Sequence, residues 1–141
     1  MSGDQAVSKF GSGCNCSQAV LEAYGPKYGL SIDDCHRISS GFGGGMRCGE
    51  VCGAVTGAYM VLGLKYGPQK EGDVSKETVN SKIIEFTGKF EKRHGSIRCK
   101  ELLDCDIGTP EGMQTAKEGN LFKTICPEMV QAASDILEEQ L

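Results

Sequence analysis

At 141 residues the chain fits one domain, 1–141, and is long enough to bury a core without disulfide staples. Fifteen basic against nineteen acidic side chains leave a net charge of −4, which excludes the electrostatic footprint of a nucleic-acid binder or of a protein drawn to an anionic membrane. Eight cysteines fall below the ~8–10% frequency of a secreted disulfide scaffold, and the start MSGDQAVSKF shows no apolar leader; the expected compartment is therefore the cytoplasm, where several cysteines point to metal ligation or redox chemistry.

Helical periodicity dominates and alternating strand patterns are missing, which predicts an all-α, single-domain bundle of about five to seven helices. In chain order the expected helices are Gln5–Gly11, Cys16–Tyr24, Ile32–Ser39, Gly49–Tyr66, Lys76–Arg93, Ile97–Leu103 and Pro127–Glu139, with a short turn of helix after Thr109. Gly25-Pro26 and Gly67-Pro68 are stops, and the polar segment Gly67–Glu77 reads as a surface loop joining two antiparallel helices. Val79, Ile83, Phe86 and Phe90 form an apolar stripe destined for the core. The acidic residues read as scattered over solvated faces. The longest apolar stretch, Ala54 to Leu64, falls short of the ~18 residues a membrane span requires, so no membrane insertion is expected.

Four cysteines sit where local cues begin a helix. Asn15 can cap a helix with Gln18 reaching back, leaving Cys16 in the first turn. Gly43, Gly44 and Gly45 delay the next helix to about Cys48 or Gly49, with Cys52 in its first turns. Ser96 reads as the cap before Cys99, and Pro127 suits a first helical position beside Cys126. Free N–H groups and the positive end of the macrodipole lower thiol pKa and stabilise thiolates, so the four positions suggest one shared anionic site. Cys16, Val20 and Ala23 share a helix face, as do Cys126, Val130, Ala133 and Leu137, which turns both sulfurs inward.

Other patterns compete for attention. If the helix already includes both, Cys48 and Cys52 share one face. Gly49, Gly53 and Gly57 form an adjacent stripe, each costing about 1 kcal/mol against alanine, and close approach of a second helix would repay it, within the chain or across a homodimer. The run Gly41-Phe-Gly-Gly-Gly45 follows no strand and lacks the last glycine of a dinucleotide fingerprint. Cys-x-x-Cys pairs are absent, so a metal would have to be held by cysteines from separate helices. Of the two histidines, His36 and His94, the latter lies close in sequence to Cys99 but is more simply a favourable charge at a helix C-terminus.

The segments Asn15-Cys16-Ser-Gln-Ala-Val-Leu21, Ser40-Gly-Phe-Gly-Gly-Gly45, Gly49-Glu-Val-Cys52-Gly-Ala-Val-Thr-Gly57, Cys99 before Leu102-Leu103, and Cys126 before a terminal helix together resemble the C_GCAxxG_C_C family, whose redox role is inferred from its cysteines. Its motif here is Cys52-Gly53-Ala54-x-x-Gly57, and its four cysteine positions fall on Cys16, Cys52, Cys99 and Cys126. A similar domain occurs in split-Soret cytochrome c, associated with an iron–sulfur centre; without a Cys-x-x-Cys-His haem motif, only that non-haem part of the resemblance applies. The leading expectation is a small redox protein that holds an iron–sulfur cluster, [2Fe–2S] first, through Cys16, Cys52, Cys99 and Cys126, and passes electrons to a redox partner. Two alternatives stay open. One is a thiol–disulfide oxidoreductase with Cys52 as nucleophile and Cys48 or another nearby thiol as the resolving thiol; the other is structural zinc at the same four cysteines. Cys14, Cys35, Cys48 and Cys105 are left as extras.

Overall fold

The computed structural model describes residues 2–68, 70 and 76–141. Among them the chain forms nine helices: α1 Ser2–Gly11, α2 Cys16–Tyr24, α3 Ile32–Ile38, α4 Gly53–Tyr66, α5 Lys76–His94, α6 Cys99–Leu102, α7 Pro110–Glu118, α8 Leu121–Thr124 and α9 Cys126–Gln140. There is no strand among the described residues, only an isolated antiparallel bridge between Val51 and Arg98. The all-α expectation stands. The helix count exceeds the expected five to seven because the short turn expected after Thr109 is a nine-residue helix, α7, and α8 adds a single turn of four residues. Most of the expected loop at Gly67–Glu77 lies outside the described residues. None of the described helices is long and apolar enough to cross a membrane.

Helix α2 is the hub, packed against α1, α3, α4 and α9, and all nine of its residues are buried. Its start follows from local chemistry: Asn15 Oδ1 accepts from Gln18 N at 2.9 Å while Gln18 Oε1 accepts from Asn15 N at 2.9 Å, a complete capping box. α4 runs beside α2 and carries Gly53 and Gly57 into the contact. A Cβ on Gly57 would stand 2.9 Å from Ser17 O, and one on Gly53 would stand 3.1 Å from the Cys16 Cβ. These glycines therefore serve close approach of two helices within the chain. On the far side of α4, Phe86 and Phe90 of α5 are fully buried and stacked with centroids 6.2 Å apart, and Tyr59 meets Phe86 edge-on at 6.0 Å.

The largest departure from the expected helices precedes α4. The helix begins at Gly53 rather than Gly49, because Gly44, Gly45, Met46 and Arg47 are four consecutive residues with positive φ, between 58° and 64°. A left-handed turn of this kind ends any right-handed helix. Glycine enters that region freely, but Met46 and Arg47 do so at a cost of about 1–2 kcal/mol each. Gly49 follows at φ 71°, outside the helix, so the three-glycine stripe reduces to Gly53 and Gly57.

Candidate functional site

The turn before α4 decides which cysteines meet. Cys48, at φ −125°, lies in non-helical backbone, is exposed, and donates its thiol to Gly45 O at 3.2 Å. Cys52 is the buried N-cap residue of α4. The expected common helix face for Cys48 and Cys52 is therefore absent, and the left-handed turn is the reason. Cys16 is the first residue of α2, Cys99 opens α6 and Cys126 opens α9. Two of the expected caps shift: Arg98 rather than Ser96 precedes α6, with Ser96 Oγ accepting from Arg98 N at 2.9 Å, and Ile125 precedes α9.

Backbone pairing brings two of the four together. Cys52 N donates to Ile97 O at 2.7 Å and Cys99 N donates to Glu50 O at 2.6 Å, on either side of the Val51–Arg98 bridge. Glu50 reinforces this clasp from outside, accepting from Arg98 at 3.0–3.2 Å and from Lys100 at 3.0 Å. Cys16 and Cys126 arrive on α2 and α9, which pack against each other and against α4.

All four sulfur-bearing residues line one cavity of about 290 Å³. Phe10, Met113, Phe122 and Met129 form apolar wall, and the exposed Arg47 is the single cation among the lining residues. The sulfurs influence one another strongly. Cys16 is held well above its usual range, first by hydrogen bonding to Cys126 and Cys52 and then by burial. Cys52 is drawn the other way: a hydrogen bond from Cys16 and the backbone N–H groups of Ala54 and Val55 outweigh burial and favour its thiolate. Burial, followed by the charges of Cys52 and Cys126, pushes Cys99 up to about 12.

Among the described residues, a trio that brings its ligand atoms within 4.8 Å of one another lies outside this cavity: Cys14, Glu22 and His36. Glu22 escapes the sequence reading, which leaves the carboxylates on solvated faces. Its signal is its place between the apolar runs Ala19–Leu21 and Ala23–Tyr24 of one helix: its side chain is only 5% exposed. Burial opposes its ionisation, yet hydrogen bonds from His36 and Cys14 and the charge of Lys9 hold the carboxyl below the usual range. Cys35 is fully buried and packs with its sulfur against Gly25, as a small core residue. His94 rests on the ring of Phe90, centroids 5.2 Å apart.

The model of one protein family, described as "Putative redox-active protein (C_GCAxxG_C_C)", matches residues 14–140, a span that holds all eight cysteines. No curated protein and no solved structure matches the chain.

Proposed function

Since this chain belongs to the C_GCAxxG_C_C family, we propose that it is a redox protein whose Cys16, Cys52, Cys99 and Cys126 hold an iron–sulfur centre of the [2Fe–2S] type. One observation carries the reading: four cysteines from four separate helix starts line a single cavity. A space of about 290 Å³ among four cysteines has room for a centre of several atoms. Such a centre, when bound, supplies one-electron transfer.

The chain's own groups tune the site. Ala54 and Val55 aim N–H groups at the Cys52 sulfur, stabilising negative charge there. Phe10, Met113, Phe122 and Met129 exclude water from the sulfurs, and Arg47 offers the site a positive charge from its exposed side. Electron exchange then proceeds with a partner protein, and the cytoplasm is the proposed compartment.

A second reading rests on the contact between Cys16 and Cys52. In the metal-free chain these two thiols can give a disulfide, two protons and two electrons, the electrons passing to the disulfide of an acceptor, which leaves as a dithiol. The resolving thiol is then Cys16, since Cys48 points away into its own turn.

The test is iron, zinc and acid-labile sulfide per chain in protein purified without oxygen or added metal. Two irons and two sulfides are expected. Zinc alone would replace the cluster reading with a structural ion, and freely titratable thiols without metal or sulfide in freshly isolated protein would replace it with dithiol chemistry.

A further inference from the structure

A second constellation lies outside the cavity. Cys14 Sγ donates to Glu22 Oε2 at 3.4 Å, and His36 Nδ1 stands 2.7 Å from the same oxygen. The three ligand atoms all lie within 4.8 Å of one another. Cys14 precedes the α2 cap, Glu22 lies within α2 and His36 within α3. The two helices are locked in register: Gln18 Nε2 donates to His36 O at 3.0 Å, and Asn15 Nδ2 donates to Ser40 O at 3.1 Å. The donors therefore sit on braced backbone.

From this geometry we infer that Cys14, Glu22 and His36 form a second metal site, for a divalent ion of the zinc class, with one coordination position open to solvent. The donor set selects the ion. A thiolate, an imidazole nitrogen and a carboxylate oxygen suit Zn²⁺ and its borderline neighbours, whereas Ca²⁺ and Mg²⁺ take oxygen. Thiolate and carboxylate together neutralise the divalent charge. Lys9 Nζ lies 3.4 Å from Glu22 Oε1, which occupies that oxygen and leaves Oε2 to face Cys14 and His36. Glu22 forms a buried floor, while the His36 side chain is 52% exposed. Glu22 also lines two surface depressions, one beside Lys9 and Lys27 and the other beside His36 and Asp33, so the fourth position opens towards water or a small ligand.

Binding balances simply. The ion takes the place of the thiol proton of Cys14 and of the proton His36 Nδ1 shares with Glu22; the thiol proton is released to solvent and the neutral His36 ring keeps its single proton on Nε2, so that Nδ1 offers its lone pair. Three protein ligands plus an open position is the arrangement of an ion that can polarise a bound water or ligand, in contrast to a closed four-ligand structural site.

The test is titration of the chelator-treated, reduced full chain with Co²⁺ as the spectroscopic stand-in for zinc. The result expected is a cobalt ion with the charge-transfer band of a single thiolate, retained in Cys52→Ala and lost in Cys14→Ser. His36→Ala should weaken it beyond the ~10–100-fold that outer-shell changes cost. Both altered side chains are at least partly exposed, so the fold survives their change. A cobalt spectrum and affinity that Cys14→Ser and His36→Ala leave unaltered would overturn the site, as would cobalt binding that disappears with Cys52→Ala alone. Iron and sulfide content is read separately and is expected to be unchanged in Cys14→Ser, so failure here leaves the cavity reading untouched.

Discussion

The two halves of α4 face different kinds of interior. Towards its C-terminus, Val61 and Leu62 share a core with Phe86 and Phe90, packed ring against ring and complete in itself. Towards its N-terminus, Gly53 and Gly57 draw α2 close, and the chain leaves a 290 Å³ cavity ringed by sulfur. One half is held by hydrophobic burial and needs nothing added. The other sets Cys16 against Cys52 and Cys126 at the expense of filled volume, an arrangement whose stability should depend on what the thiols bind.

This contrast can be broken from either side. Phe90→Ala should cost about 3–5 kcal/mol by denaturant unfolding, equally in metal-loaded and metal-free protein, because the aromatic core does not depend on the sulfurs. Cys126→Ala should lose the iron and, with it, the linkage stabilisation, about 2.7 kcal/mol when free ligand exceeds its dissociation constant a hundredfold; Cys105→Ala, outside the cavity lining, should keep both. An iron content unchanged in Cys126→Ala would remove that residue from the ligand set.

Smaller changes sharpen the boundary between the halves. Gly57→Ala forces a Cβ against the Ser17 backbone and should cost about 1–3 kcal/mol, with a loss of metal that Phe90→Ala does not share. Met46→Gly relieves a left-handed residue that is already substantially exposed, and should add about 1 kcal/mol of stability, read as a higher denaturation midpoint. The smallest effect concerns pH. The folded Glu22 carboxyl lies below its usual 4.5, so its contribution is present above that value and fades as pH falls through the lower folded pKa. Glu22→Gln in chelated protein should flatten the acid limb of the stability profile, and an unchanged limb would show that other carboxylates govern it.

Much of the fold was legible because its cues are local. The Asn15/Gln18 capping box places the start of α2, and the Thr109-Pro110 pair places α7, with Thr109 Oγ1 accepting from Gly112 N at 3.0 Å. The stripe ending in Phe86 and Phe90 marks the buried face of α5 by spacing alone. The positions of Cys16, Cys52, Cys99 and Cys126 near helix starts follow from the same short-range chemistry, though the exact caps of α6 and α9 do not. Ser96 suits a cap in sequence, but pairing of Val51 with Arg98 carries the extended backbone on to Arg98 before α6 can begin.

The sequence by itself determined an all-α chain, its main helices and the four cysteines at their beginnings, since caps, stops and periodicity act over three or four residues. Only the tertiary structure decided which sulfurs meet. Long-range packing of α2, α4 and α9 gathers Cys16, Cys52 and Cys126, and the Val51–Arg98 bridge brings in Cys99. The left-handed turn at Gly44–Arg47 turns Cys48 outward, a backbone choice that residue preference would not assign to Met46 or Arg47. Glu22 likewise joins Cys14 and His36 only because α3 folds back over α2, and contacts set by that docking leave no trace in local spacing.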